Sequence, residues 1–312
     1  MKCLVSGGAG FIGSNLAKKL IELDNTVVII DNLSTGKEEN IPDVNSLYIR
    51  DITNTKKMID ICSCHNFDII YHVAAVPRVQ FSIKEPLKTN EANILGTLSL
   101  LIAAQQTGVK RFIYSASSSA YGEQDTLPLV EYMRPNPMSP YAVQKLAGEH
   151  YCKTFFLVHG METISLRYFN VFGTAQDPHS YYSCLIPKFF NLMMKNEQAI
   201  IFGDGEQSRD FTTVEDVVMA NILAGETSNK EAFGNVFNIG GGKSYTVNEV
   251  SKKIEKLTGT KVTAIHGDPV IEAKHTSADI SLAKKVLGWE PKIDFDTGLK
   301  LTFDDIFKKN VK

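Results

Sequence analysis

Two residues near the middle of the chain have the chemistry of a proton relay. Tyr141 and Lys145 stand four apart in Ser139-Pro140-Tyr141-Ala142-Val143-Gln144-Lys145. That is slightly more than one helical turn, so on a helix begun by Pro140 both side chains leave the same face. An ammonium beside a phenol favours the phenolate, and an oxidised nicotinamide adds to the effect, drawing the tyrosine from its ordinary ~10 towards neutrality. A shift of about three units needs about 4 kcal/mol, which only a partly desolvated site supplies. Such a tyrosine exchanges a proton with a substrate hydroxyl while hydride passes to or from a cofactor. The same spacing also occurs on plain helix surfaces, and the surrounding motifs decide between the two.

The first of those motifs is Gly7-Gly8-Ala9-Gly10-Phe11-Ile12-Gly13, which follows an apolar run and opens into a helical pattern. Glycines there allow a tight turn and bring backbone N–H groups and the positive helix end against a pyrophosphate, with Gly13 permitting close packing. The alternative is a glycine turn of structural use only. Asp31 ends the next strand about twenty residues on, where a carboxylate accepts hydrogen bonds from ribose hydroxyls. Its charge repels a 2′-phosphate, and Asn32 and Leu33 offer no arginine to receive one, so NAD is favoured over NADP. Asp51 and Ile52, at the end of the third strand, are placed to meet the adenine. A serine-rich strand end, Tyr114-Ser115-Ala116-Ser117-Ser118-Ser119-Ala120-Tyr121-Gly122, reads either as the hydroxyl wall of a ligand crevice or as a polar turn.

The elements that must position these groups alternate. Lys2–Ser6, 26–31, 47–52, 68–75, 111–117 and 163–168 read as strands separated by amphipathic segments, and alternation implies a parallel sheet covered on both faces. In the first helix Ile12, Leu16, Leu20 and Leu23 form one stripe opposite Lys18, Lys19 and Glu22. The expected fold class is α/β, a Rossmann-type doubly wound parallel sheet with a smaller C-terminal α+β lobe. Residues 1–168 form the nucleotide domain, with 214–240 returning to it. Residues 169–213 and 241–312 form the substrate lobe, with helices expected at 187–195, 247–257 and 282–287 and a strand at 199–202, while a helix at 217–225 and a strand at 236–239 return to the large sheet.

With 312 residues, 43% hydrophobic, the chain supports a large core. A net charge of −2 with 22% charged residues gives no broad attraction to nucleic acid or anionic membrane, so a small ligand is expected. The chain starts without a charged leader, and no run approaches the ~18 apolar residues of a membrane span. A soluble cytoplasmic protein with five reduced cysteines is the expectation. Cys62-Ser63-Cys64-His65 is half a metal site with no second pair, so no metal is expected and the segment reads as a helix end. His72 reads as structural.

Together these residues resemble the extended short-chain dehydrogenase/reductase family, and within it the nucleotide-sugar 4-epimerases acting on UDP-glucose and UDP-N-acetylglucosamine. The likeness spans the glycine cradle, Asp31-Asn32-Leu33-Ser34-Thr35-Gly36, His72-Val73-Ala74-Ala75, Asn93 with Gly96-Thr97, the serine run, Tyr141 to Lys145, Arg167 to Gly173, Gly203-Asp204-Gly205, Ser208-Arg209-Asp210-Phe211 and Leu287-Gly288-Trp289. It implies bound NAD, held additionally by Asn32, Ser34, Gly36, Ala74, Ala75, Ser115 and Tyr168. It makes Tyr141 the base, Lys145 its electrostatic partner and Ser117 the hydroxyl bonded to the reacting sugar oxygen. Ser118 and Ser119 line the sugar pocket, Asn170 and Arg209 hold the UDP diphosphate, and Asn93 supports the cofactor side and the active-site helix. The implied reaction removes the C4 hydride to NAD, turns over the 4-keto sugar and returns the hydride to its other face.

Related dehydratases and decarboxylases carry an acid where Ser118 and Ser119 stand, and lose weight accordingly. UDP-glucuronate 4-epimerase stays open, because these serines and Arg78 suit a sugar carboxylate. A non-epimerising NAD-dependent nucleotide-sugar oxidoreductase and a non-catalytic dinucleotide-binding regulator are further alternatives. Thr276 stands where epimerases confined to plain sugars carry tyrosine, leaving room for an N-acetyl group. The family's Arg-x-Gly-Asp is replaced by Pro269-Val270-Ile271-Glu272, leaving Glu272 for the uridine ribose and no second arginine. Segments 95–105 and 142–158 are apolar on more than one face, including Leu98, Leu101, Ile102, Tyr151 and Phe155. They imply a homodimer paired through a four-helix bundle.

Overall fold

The structure, a computed structural model, describes residues 1–177, 184–260, 262–269 and 272–310. Residues 178–183 of the polar stretch, and Val270 and Ile271 of the segment that replaces the family motif, lie outside the described residues.

Seven strands form one sheet: β1 (Lys2–Ser6), β2 (Thr26–Asp31), β3 (Ser46–Ile49), β4 (Ile69–His72), β5 (Arg111–Ser117), β6 (Glu162–Tyr168) and β7 (Asn235–Ile239). Their spatial order is 7-6-5-4-1-2-3, and every pairing is parallel. Helices α1 (Phe11–Glu22), α2 (Thr55–His65), α3 (Gly96–Gln106), α4 (Pro140–His159) and α5 (Val214–Glu226) cover it. Alternation along β1 sends Cys3 and Val5 to one face, packed with Leu16 and Leu20 of α1 and Val217 of α5. Leu4 goes to the other, with Met58 and Ile61 of α2, Leu100 of α3 and Cys152 of α4. Apolar runs without polar alternation are what a sheet buried on both faces requires. Strand order reverses between β1 and β4, and at such a switch point the carboxyl ends of the strands open a crevice.

Several boundaries move. The third strand ends at Ile49, not Ile52, so Asp51 and Ile52 sit in the turn beyond it. The fourth ends at His72 rather than Ala75, because the chain there must pass over the glycine turn. Leu23 is 44% exposed: α1 stops at Glu22, and Leu23 is its cap rather than part of the stripe. Cys62 is buried within α2, and the ring of His65 bonds the Tyr48 hydroxyl at 2.8 Å.

Beyond β6 a second core gathers Phe172, Phe190, Phe211, Val250, Phe295 and Leu299. Its helices span Leu185–Met194, Val247–Thr258 and Phe295–Asn310, a strand at Ile200–Phe202 pairs with Ile265–Gly267, and the helix Ser281–Leu287 packs instead on the first core through Ala283, Val286 and Leu287. The last helix was not expected from sequence, although Phe295, Leu299, Thr302 and Ile306 supply its buried stripe.

The active-site helix α4 is pinned to β6 by a buried ion pair. Arg167 donates through Nε to Glu149 Oε1 at 2.9 Å and through Nη2 to Oε2 at 2.7 Å, with its guanidinium 4.5 Å from the Tyr121 ring. Removing one partner leaves a buried charge alone. Arg167→Met is expected to destabilise the fold by about 3–5 kcal/mol in chemical denaturation, and Arg167→Met with Glu149→Leu to recover most of that loss.

Candidate active site

A crevice of about 1000 Å³ runs from the glycine turn, past the serine run, to the C-terminal lobe. At its floor the glycines have no room for side chains. A Cβ on Gly13 would stand 2.1 Å from the Gly7 carbonyl oxygen, and one on Gly7, at φ +75°, 2.7 Å from the Ala74 backbone. Gly10 caps α1 without a side-chain bond, so the first-turn N–H groups are left for a ligand. This is a cradle that any Cβ would fill, and it fits a dinucleotide pyrophosphate. Asp31 braces it: one carboxylate oxygen accepts from the Ala9 N–H at 2.9 Å and the other from the Leu33 N–H at 2.8 Å. Each oxygen keeps a lone pair for a ribose hydroxyl. Asn32 donates to Asp51 at 3.0 Å. Burial works to raise Asp51, but bonds from Thr53 and Asn32 hold it below the usual carboxylate range.

Phe11, Ile12, Ser34, Asp51, Ile52, Ala74, Ala75, Ser115 and Tyr168 all line the crevice. Gly36 and Asn93, also expected at the cofactor, are packed behind this lining. A Cβ on Gly36 would meet Ala9 at 2.7 Å, so this glycine packs behind the cradle. Asn93 is buried, its oxygen accepting from the Val76 N–H at 2.8 Å and its amide donating to the Val76 carbonyl at 3.1 Å and to Gln144 on α4 at 2.8 Å.

Behind the wall a chain of hydrogen bonds has one possible direction. Thr97 gives its only proton to the Asn93 carbonyl at 2.7 Å, so it can only accept from His72 Nε2 at 2.8 Å. His72 therefore carries its proton on Nε2 and accepts at Nδ1 from Ser6, 2.7 Å away. Ser6 in turn accepts from the Ala74 N–H at 3.3 Å. Burial, aided by the charge of Lys145, pushes His72 down to about 3, in keeping with a neutral ring.

Ser139 caps α4 by accepting from the Ala142 N–H at 3.2 Å, which sets Tyr141 and Lys145 in the first turns, facing the crevice. The expected acidification of Tyr141 is not built as foreseen. Burial pushes the phenol up to about 12; a hydrogen bond with Ser117 and the charge of Arg78 work against that rise. The Lys145 ammonium donates to the Ser115 carbonyl at 2.7 Å, and burial pulls it down to about 8 against the pull of Glu149. Ser117 also receives the Ser119 hydroxyl at 2.9 Å. Tyr168 bonds Ser115 and Asn221, each at 3.0 Å.

Arg78, Ser117, Ser118, Ser119, Asn170, Arg209, Glu272 and Thr276 share the same crevice. Asn170 spends its amide N–H on the Asp210 carbonyl at 2.8 Å. Glu272, expected at the ribose, pairs with Arg209 Nη2 at 2.7 Å, while Nη1 donates to the carbonyls of Ser208 and Lys274. Sequence reasoning missed the Lys37–Asp177 ion pair, 2.9 Å, at the cofactor end, and the apolar wall of Phe189, Ile200 and Phe202. The strand ending at Gly203 was the available signal for the latter.

Residues 3–240 match the NAD dependent epimerase/dehydratase family. The chain belongs to that family. It is an NAD-dependent enzyme, and NAD is the cofactor its cradle fits. UDP-glucose 4-epimerase from Thermotoga maritima, solved with UDP-glucose, is 39% identical, with 100% of both chains covered and a TM-score of 0.95. UDP-N-acetylglucosamine 4-epimerase from Methanobrevibacter ruminantium, solved with UDP-N-acetylmuramic acid, is 38% identical, with 99% of this chain and 98% of that one covered and a TM-score of 0.92. A putative UDP-glucose 4-epimerase of Methanocaldococcus jannaschii is 38% identical over 299 residues, 95% of each chain.

In this family member the Gly13 contact makes a sharp test. Gly13→Ala is expected to weaken NAD binding by about tenfold or more, in line with the ~1–3 kcal/mol cost of overpacking. The nucleotide released on denaturation measures it, and circular dichroism should stay unchanged.

Proposed function

We propose that the chain interconverts UDP-sugars by inverting C4 through a transient 4-keto sugar, acting on UDP-glucose and UDP-galactose and on their N-acetylated counterparts. The observation that carries this reading is Tyr141, which shares one crevice with Ser117, Lys145 and the glycine cradle. NAD, when bound, supplies a hydride acceptor that later becomes the donor. The chain's own residues do the rest. Tyr141 takes the proton from the sugar 4-hydroxyl and gives it back, Ser117 orients that oxygen, and Lys145 supports the charge on the phenol oxygen. Ser118 and Ser119 face the sugar, while Asn170 and Arg209 hold the diphosphate. Thr276 supports acceptance of an N-acetyl group, since its short side chain lies buried in the wall. One observation favours a second substrate, UDP-glucuronate: the Arg78 guanidinium reaches the crevice with its Nε buried and unpartnered, and a sugar carboxylate would satisfy it.

The division proposed for the chain gives residues 1–168 and 214–240 to the cofactor and 169–213 and 241–312 to the UDP-sugar. A homodimer paired through α3 and α4 is supported by exposed Val143, Leu157 and Val158 on α4 and by exposed Leu95 just before α3. No helix among the described residues is long and apolar enough to cross a membrane. Free thiols at Cys3, Cys62 and Cys152 support a reducing compartment, the cytoplasm.

Incubation with UDP-glucose, UDP-N-acetylglucosamine and UDP-glucuronate separately, followed by NMR, should show 4-epimers of the first two. Conversion of a dTDP- or GDP-sugar alone would overturn the UDP assignment. Tyr141→Phe should lower turnover by about 10²–10⁴-fold with NAD content retained, and an unchanged rate would remove Tyr141 from the mechanism. Light scattering at micromolar concentration should give twice the 34.5 kDa chain mass, and a monomer would refute the dimer.

A further inference from the structure

We propose that residues 174–177 form a strap across the pyrophosphate cradle, latched by the Lys37–Asp177 ion pair, and that this latch sets how fast NAD enters and leaves. The strap is tied to the cradle at both of its ends. At one end the Asn15 side-chain amide donates to the Phe11 carbonyl at 2.9 Å and to the Thr174 carbonyl at 3.2 Å, which joins the strap to the first turn of α1. At the other end the Lys37 ammonium meets the Asp177 carboxylate at 2.9 Å. Lys37 is itself seated on the glycine turn, its backbone N–H donating to the Ala9 carbonyl at 3.0 Å. The two ties therefore reach the cradle through Ala9 and Phe11, on either side of Gly10 in the chain, and the strap runs from one to the other. Two helices hold it from behind: the Thr174 hydroxyl donates to Glu215 at the start of α5 at 3.0 Å, and the Ala175 N–H donates to Asp305 on the last helix at 2.9 Å.

The strap and the glycine turn bound one space. Gly10, Phe11, Ile12 and Gly13 line the crevice together with Ala175, Gln176 and Asp177. Gln176, between the two ties, is buried, and its amide oxygen has no hydrogen-bond partner, an acceptor left for what the crevice holds. A pyrophosphate held by the first-turn N–H groups of α1 has to pass the strap to leave. Of the two ties, the ion pair is the one built to open. Its lysine side chain is 46% exposed, and Glu39 on the same loop stands 3.7 Å from the ammonium, a second partner to which Lys37 turns when it lets Asp177 go. The latch joins protein to protein, so opening it eases entry and exit alike and changes affinity little. A cofactor that gives back the hydride it took must outlast the intermediate, and a slow exit serves that whichever sugar is bound.

The test follows NAD alone, without sugar, so it stands apart from the epimerase reading. Full-length protein loaded with radiolabelled NAD is chased with excess unlabelled NAD, and equilibrium dialysis of the same label gives the affinity. Lys37→Gln and Asp177→Asn should each quicken release about two- to fivefold, the range of an exposed ion pair, with circular dichroism unchanged and affinity lowered by a smaller factor. Lys37→Glu and Asp177→Lys should each quicken release when made alone. Made together they rebuild the pair with its charges exchanged, and release should return towards the parent rate. The sign at Asp177 separates the latch from a simpler role: a Lys37 that only attracts the cofactor's phosphates requires Asp177→Asn to slow release, because a repelling charge is removed. Slower release from Asp177→Asn would overturn the proposal and make Lys37 a phosphate contact. Release that neither variant changes would overturn it too, and leave the pair as a surface contact.

Discussion

The site depends on one line of hydrogen bonds that runs beneath it. From the Ala74 amide through Ser6, His72 and Thr97 to the Asn93 carbonyl, every donor meets one acceptor, and reversing any link would leave two protons or two lone pairs facing each other. Asn93 then grips the loop at Val76 and, through Gln144, the catalytic helix. The strand that ends in the phosphate cradle is thereby tied to the helix that carries the tyrosine. Buried polar chains of this kind are costly when broken and specific when complete, so the distance between the two halves of the reaction is a property of the core.

Much of this was legible in the sequence because it is local. The glycine turn, the strand ending at Asp31 and the spacing of Tyr141 and Lys145 each follow from a few neighbouring residues. What was not legible joins residues far apart. Glu272 was assigned to a ribose on its place in a motif, yet it meets Arg209, whose position is set by pairing of Ser208–Asp210 with Ser244–Thr246. Lys145 is read from its place four residues along the helix from Tyr141, and its ammonium also donates a hydrogen bond to the Ser115 carbonyl at the end of β5. Asn93 and Gly36 stand in the motif by sequence, but what they touch within the protein, Val76 and Gln144 for one and Ala9 for the other, is set by segments far along the chain.

Cations in the crevice divide by what holds them. Arg209 has a carboxylate at one nitrogen and backbone carbonyls at the other, a rigid mount with part of its charge already answered. Lys145 donates to backbone, which fixes its direction, while burial lowers its hold on a proton. Arg78 is tethered through its backbone, and its Nε is buried without a hydrogen-bond partner. Burial strengthens any charge–charge interaction in such a space, so these differences in mounting matter more than the count of positive residues.

The order of strands also bears on how the chain is made. β6 pairs on one side with β5, its predecessor in the sheet, but its other side is covered only by β7, which follows the excursion through the first part of the small lobe. While synthesis passes through that excursion, β6 presents a row of unpaired backbone groups, the kind of edge that recruits stray strands. Birth on the ribosome is therefore the moment of greatest exposure for this molecule, and the strand that ends at Ile239 is the one that closes it.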